Sequence, residues 1–222
     1  MQIRELHLFT DDLIGTITFY KNILQLPVKE EENAGITFQV GKTKLIFKAS
    51  VNQHPTYHFA FAIPANQIQE AYEWAKDKLL ILDAEPGEKI IDFDSWHAKA
   101  FYFLDNNGNI LEFIARFDLP NKSFLPFKGS SFTSINEIGI VTQDVSSACK
   151  KMIVQYGLEY FYRQPPLEDF AAVGDNNGLF IVVPENRNWY PTNLHSSKSR
   201  MKVVFTSGIE SEQKVMELAG ET

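Results

Sequence analysis

The chain repeats a segment of its own sequence, and this repeat constrains its fold more than any other feature. Residues 3–13 align without a gap to residues 135–145, with Ile, Glu, Thr and Asp identical at four positions and an apolar rhythm that matches at most others. Each copy predicts a strand, then an aspartate at a helix N-cap, then an amphipathic helix. Self-similarity of this kind indicates duplicated supersecondary units.

Each copy begins a β-α-β-β-β module. After the first helix, strand-like runs around residues 29–32, 36–40 and 44–49 complete one module, and a strand at 57–63 followed by a helix at about 67–80 begins the next. The turn Asp-Asn-Asn-Gly occurs at residues 105–108 and again at 175–178, between apolar runs, which is a strong hairpin signal. The sequence therefore predicts an α+β fold of repeated β-α-β-β-β modules.

The modules divide into two predicted domains. Residues 1–117 hold two complete modules, and residues 133–222 hold a degenerate and truncated pair. In that pair a third module spans about 133–185, and a fourth starts at Met201 and stops after one helix. Residues 118–132, which include two prolines and a glycine, read as the linker.

Charge and cysteine content exclude several classes of function. A net charge of −7 and a pI near 5.3 argue against nucleic acid or an anionic membrane surface as a partner. No secretion signal precedes the first strand, no apolar run is long enough for a bilayer, and a single cysteine suits a reducing compartment, so we expect a cytoplasmic protein. That residue, Cys149, lies on the apolar side of a helical pattern and is expected in the core rather than as a nucleophile.

Three residues with metal-ligating side chains lie in alternating apolar segments. His7, His58 and Glu112 each point away from the large apolar residues of their strand, so each is expected on the face that its sheet does not use for helix packing. We expect these two imidazoles and one carboxylate on the same face of one sheet, which is typical of a divalent transition-metal site with positions left open for water or substrate.

The second half lacks these residues at the corresponding points. The repeat alignment, the later strand and the turn spacing place Gly139, Lys202 and Val182 there. We therefore expect one metal site per chain, in the N-terminal half.

Two further polar residues are candidates near this site. His97 precedes the strand that leads to the Asp105 turn and is a candidate catalytic acid or base, the alternative being a solvated loop histidine. Arg116 shares a face with Glu112 and is expected to pair either with a substrate anion or with Glu5.

Paired modules with a histidine on each first strand, and Asp-Asn-Asn-Gly-Asn before a glutamate, resemble the vicinal oxygen chelate superfamily. Its members include glyoxalase I, extradiol ring-cleaving dioxygenases, fosfomycin-resistance thiol transferases and bleomycin-binding proteins. The resemblance implies cupped mixed β-sheets with helices on the outer face, and a metal inside the cup held by His7, His58 and Glu112. It also implies a divalent ion such as Fe(II), Mn(II), Zn(II) or Ni(II), a small oxygenated or aromatic substrate, and a homodimer as one assembly to consider.

The resemblance leaves the reaction open among ring-cleaving dioxygenase, lyase and isomerase chemistry. Leu45, Ile46 and Phe47 stand where glyoxalase I-like members carry a fourth, acidic ligand, which weakens the assignment as that lyase. The alternative is a metal-free protein that binds or sequesters a small molecule, as bleomycin-binding members do.

Overall fold

In the described part of the chain, two mixed β-sheets and three short α-helices make up the fold, which confirms the α+β prediction. The computed structural model describes residues 1–51, 53–208 and 212–220. The strands are β1 (Gln2–Thr10), β2 (Val28–Glu32), β3 (Gly35–Val40), β4 (Thr43–Ala49), β5 (His58–Ile63), β6 (Ile91–Phe93), β7 (Ala98–Leu104), β8 (Ile110–Arg116), β9 (Ser134–Thr142), β10 (Ala171–Asp175), β11 (Gly178–Pro184), β12 (Met201–Thr206) and β13 (Gln213–Leu218). The helices are α1 (Leu13–Ile17), which a stretch of π-helix at Thr18–Ile23 continues, α2 (Ile68–Ala75) and α3 (Val145–Tyr156).

The first and third helices begin where the repeat predicts. The Asp12 carboxylate accepts a hydrogen bond from the backbone N–H of Gly15, and the Asp144 carboxylate accepts one from Ser147, each at 2.9 Å. Both bonds satisfy a backbone donor that a helix N-terminus otherwise leaves unpaired. The predicted N-caps are confirmed.

The main core contains the large apolar side chains of both sheets and residues of all three helices. Phe61 and Phe113 of one sheet, Leu8 and Phe47 of the other, and Met152 of α3 belong to this single buried cluster. Cys149 also lies in it and is fully buried, as predicted. Because strand side chains alternate, each sheet has one face packed in this main core and a second face turned away from it.

Strand pairing crosses the two halves of the chain. The six-stranded sheet has the order β13-β12-β1-β4-β3-β2, and the seven-stranded sheet has the order β10-β11-β9-β5-β8-β7-β6. β1 pairs antiparallel with β12, and β5 pairs antiparallel with β9. Each sheet therefore joins one module from residues 1–117 with strands from beyond residue 133.

This pairing corrects one expectation. The prediction that the first two modules share one cup is wrong, because their first strands lie in different sheets. Local sequence patterns fix which face of a strand is apolar but do not specify the distant strand with which it pairs.

The C-terminal segment is also different from its prediction. The fourth module was predicted to end in a helix, but residues 213–218 form β13, which pairs with β12. Met216 is buried in the main core by this pairing, opposite Val203. Tertiary packing outweighs local helix propensity here. Residues 209–211 lie outside the described residues.

No helix in the described part of the chain has the length and apolar character needed to cross a membrane.

Candidate functional site

A cavity lies over the face of the seven-stranded sheet that is turned away from the main core. This face carries the small side chains Ala60, Ala98, Ala100 and Ala172. Small residues leave room above the sheet, and the cavity there has a volume of about 260 Å³. Its walls are largely aromatic, formed by Phe93, Trp96, Tyr102, Phe170, Trp189 and Tyr190.

Three potential metal ligands meet on this face. His58, Glu112 and Glu137 line the cavity from β5, β8 and β9, and one ligand atom from each lies within 4.8 Å of the others. Nε2 of His58 is 3.9 Å from Oε2 of Glu112. All three side chains are buried.

The His58 imidazole is fixed by its backbone neighbour. Nδ1 lies 3.0 Å from the carbonyl oxygen of Ile110, an acceptor, so this nitrogen carries the proton and donates it. The neutral ring then presents Nε2 as a lone pair beside the two carboxylates. An imidazole oriented in this way is the usual arrangement of a metal-ligating histidine.

Strand register explains why Glu137 joins this group. In the second module, His58 lies opposite Ile110 of the parallel strand β8, and in the third, Glu137 lies opposite Leu179 of the parallel strand β11. Each pair stands near the beginning of the last strand of its module. Glu137 therefore occupies in the third module the place that His58 occupies in the second.

Glu137 is a candidate site residue that was not predicted from the sequence. The gapless repeat alignment placed Gly139 opposite His7. Turn spacing placed Val182 at the position that corresponds to Glu112, but Val182 faces the main core. A signal was present, because Glu137 is one of the four identities in the repeat, where it matches Glu5. What the sequence could not supply is the pairing of β5 with β9.

His7 lies away from this group. It belongs to β1 in the six-stranded sheet, where its Nε2 lies 3.0 Å from Oε2 of Glu5, and Lys44 lies 3.2 Å from the other oxygen of that carboxylate. The prediction that His7 shares one face of one sheet with His58 and Glu112 is wrong, because β1 and β5 are in separate sheets. The structure does bring His58 and Glu112 together.

Burial shapes the electrostatics of the group. It lowers the pKa of His58 to about 4, so the imidazole is neutral and able to ligate near neutral pH. Burial also raises the pKa of Glu112 well above its usual range, and the negative charge of Glu137 adds to this effect. The pKa of Glu137 is raised by burial as well, although the Arg116 guanidinium opposes that shift.

Arg116 takes neither of the two partners considered from the sequence. Its Nη2 pairs with Glu137, and its Nε donates a 2.7 Å hydrogen bond to Oδ1 of Asn136. The guanidinium carbon lies 5.4 Å from the ring centroids of both Trp96 and Phe161. Arg116 thus supplies a buried positive charge behind one of the three candidate ligands.

His97 lies at the surface, next to the cavity wall but outside its lining. It follows the 3-10 turn Asp94–Trp96 in a left-handed conformation with φ of 51°. Its Nδ1 lies 2.7 Å from Oδ1 of Asp118, and about half of the side chain is exposed. The contacts of His97 support a structural role in holding the start of the linker.

Solved structures share this architecture. A glyoxalase I variant from Zea mays superposes with a TM-score of 0.59 over 88% of this chain and 71% of its own, at 15% identity. A Bacillus subtilis protein described as a dioxygenase gives a TM-score of 0.57 over 82% of this chain and 63% of its own, at 12% identity. No protein-family model matches the sequence, and no curated protein matches it.

These superpositions cover both sheets and decide the fold. The chain has the vicinal oxygen chelate fold. In this chain, the cup that gathers side chains able to ligate a metal is built from the second and third modules rather than from the first and second.

The same cup has an apolar residue at its fourth position. Glu112 lies opposite Ala60 in the second module, and Ile181 lies opposite Gly139 in the third. Ile181 therefore stands where symmetry would place a second carboxylate on a last strand. In the described residues, this cup therefore brings together three side chains that could ligate a metal, His58, Glu112 and Glu137.

Proposed function

We propose that the protein is a metal-dependent enzyme of the glyoxalase and dioxygenase type that acts on a small oxygenated or aromatic molecule in the cup of the seven-stranded sheet. His58, Glu112 and Glu137 hold a divalent metal ion. The observation that carries the proposal is the meeting of three buried ligand atoms from three strands within 4.8 Å. The nitrogen of a neutral imidazole and the oxygens of two carboxylates are donors that such an ion accepts.

The charge balance of the pocket supports a cation. Glu112 and Glu137 are both buried, and Arg116 pairs with Glu137 alone. Buried carboxylates are costly unless they are paired or coordinate a metal. Nitrogen and oxygen donors of this kind suit Fe(II), Mn(II), Zn(II) or Ni(II).

The chain's own residues define the rest of the site. Ile110 orients His58, and Arg116 orients Glu137, so two of the three ligands are positioned by groups behind them. A divalent ion held there would supply Lewis-acid chemistry, and three protein ligands leave positions for substrate oxygens. Such open positions are compatible with ring-cleaving dioxygenase, lyase or isomerase chemistry.

The walls indicate the class of ligand. Six aromatic side chains surround a volume of about 260 Å³, which suits a single small aromatic or conjugated molecule. Gln164 and Arg187 add polar groups to the lining. Such a ligand would stack on the walls and direct its oxygen atoms toward His58 and Glu112.

A second candidate function is metal-free binding of a small aromatic molecule. It is favoured by the ion pair of Arg116 and Glu137, since one of the three ligands already has a cationic partner. With this second function, the cup would bind and sequester its ligand without catalysing a reaction.

Elemental analysis of protein purified without a polyhistidine tag tests the proposal. After reconstitution with Mn(II) or Zn(II) and desalting, we expect one ion per chain. His58→Ala and Glu112→Gln should weaken metal affinity by at least about tenfold. His7→Ala is the matched control, because His7 lies in the other sheet, and this variant should keep its metal.

Absence of a stoichiometric dication, or equal loss on His7→Ala, would overturn the proposal and favour metal-free binding. Oxygen uptake by Fe(II)-loaded protein with a panel of catechols then separates the reactions. Consumption of oxygen selects the dioxygenase branch, and its absence leaves lyase or isomerase chemistry.

A further inference from the structure

We infer that Trp189 sets the size of the ligand that the cup accepts, by closing the aromatic cavity off from a second cavity beside it. The inference deepens the proposed function and rests on it for the class of ligand, a small aromatic molecule. It depends on the position of one indole ring and not on the metal.

The two cavities share a wall. The aromatic cavity of about 260 Å³ and a second cavity of about 210 Å³ are both lined by His58 and Trp189. The second cavity has a more polar lining, which includes Thr56, Thr142 and Lys198. Removal of the shared wall would nearly double the space open to a ligand beside His58.

Gly139 makes room for this wall. A methyl group placed on Gly139 would lie 2.6 Å from Cη2 of Trp189, well inside van der Waals contact. The indole therefore occupies the space above β9 that a side chain at position 139 would take. The indole also packs against the His58 imidazole, with ring centroids 4.9 Å apart.

Hydrogen bonds hold the segment that carries Trp189. The backbone N–H of Trp189 donates to the carbonyl of Leu194 at 2.9 Å, and the Thr192 hydroxyl donates to the carbonyl of Trp189 at 2.8 Å. The Tyr190 hydroxyl reaches across to the carbonyl of Ala84 in the second module at 2.9 Å. Trp189 is thus a fixed wall, held from both modules of the cup.

Binding of two coumarins that differ in length tests the inference. The probes are 7-hydroxycoumarin and 7-benzyloxycoumarin, and the dissociation constant of each is measured by calorimetry for the full chain. The wild type should bind the short probe at least about tenfold more tightly than the long one, because the long one collides with the indole. Trp189→Ala should remove or reverse this preference.

Two further variants make the test specific. Gly139→Ala should displace the indole and shift the preference in the same direction, although Trp189 is still present. Trp189→Phe keeps an aromatic wall and should retain most of the wild-type preference. Thermal unfolding of each variant identifies any that fails to fold, and Gly139→Ala and Trp189→Phe then carry the comparison.

An unchanged ratio of the two affinities in Trp189→Ala and Gly139→Ala overturns the inference, and so does a wild type that binds neither probe. Metal content measured on the same samples separates this result from the proposed function. A changed probe preference in protein without bound metal supports the role of Trp189 and contradicts the proposed metal site. Bound metal with an unchanged preference supports the metal site and contradicts the role of Trp189.

Discussion

Asp118 accepts hydrogen bonds from residues on both sides of the linker. His97 Nδ1 lies 2.7 Å from one oxygen of the carboxylate, and the Tyr162 hydroxyl and Arg163 Nε each donate to the other at 2.9 Å. The bond from His97 lowers the pKa of Asp118 most, and those from Tyr162 and Arg163 add to it, so this pKa lies well below its usual range. A single carboxylate therefore joins the second module to the third.

Replacement of this carboxylate should make the Tm of the protein vary less with pH in the acid range. A carboxyl whose pKa is lower in the folded than in the unfolded state stabilises the fold above its unfolded pKa of 3.8, and this stability is lost as the pH falls through the folded value. We expect Asp118→Asn to lower the Tm by about 3 °C at pH 7 and by progressively less below about pH 4. Calorimetry across this range measures both quantities.

Glu168→Gln, an exposed change elsewhere in the third module, is the control for Asp118→Asn and should leave the Tm unchanged. A difference in Tm that widens as the pH falls would contradict the role assigned to Asp118.

Cys149 illustrates a residue whose environment is settled by packing alone. It is fully buried, and burial raises the pKa of its thiol to about 11. A thiol of this kind carries little thiolate and offers no access to a reagent. We expect no reaction with a thiol-reactive disulfide reagent at pH 8 in the folded protein and one equivalent after unfolding in urea. Rapid labelling of the folded protein would show that the helix opens locally.

At the scale of elements, capping decides where the helices begin. The Asp144 carboxylate caps α3, the longest helix in the described residues, and Gly157 ends it with φ of 60°. Asp144→Ala should lower the free energy of unfolding by about 1 kcal/mol, because it leaves a backbone N–H without its partner. Urea denaturation measures this loss, and Asp144→Ser, which keeps a capping oxygen, should recover most of it. Equal losses for the two variants would show that capping is not the cause.

Side-chain periodicity predicted the elements and their faces well. His58, Glu112 and Arg116 lie on the predicted face, and both helix caps are where the repeat placed them. The same periodicity could not predict the group that includes Glu137, because the strand that carries Glu137 is brought beside β5 only by a long-range pairing. Side-chain periodicity also gave a wrong prediction at β13, because this segment was predicted to be a helix and forms a strand that pairs with β12.

At the scale of the whole molecule, the two halves depend on each other. β1 and β5, from the first half, each have an antiparallel neighbour from the second half, β12 and β9. A fragment that lacked these neighbours would expose the edges of both sheets and part of the core. The predicted domains 1–117 and 133–222 are therefore not expected to be independent folding units.

Separate expression of residues 1–120 and 121–222 tests this dependence. Each fragment alone should lack a cooperative thermal transition, and co-expression should yield a complex that unfolds as one unit. A first fragment that folds alone with a cooperative transition would contradict the expectation. The intact chain provides the reference transition.

Long-range pairing also governs how the protein forms during translation. Gln2 of β1 pairs with Thr206 of β12, about 200 residues later. At ordinary synthesis rates β1 would wait about 10–40 s on the ribosome before its partner emerges. For that interval one edge of β1 is unsatisfied, and the nascent chain is exposed to aggregation. Conditions that slow elongation or deplete chaperones should therefore reduce the yield of this protein more than that of a chain whose sheets close locally.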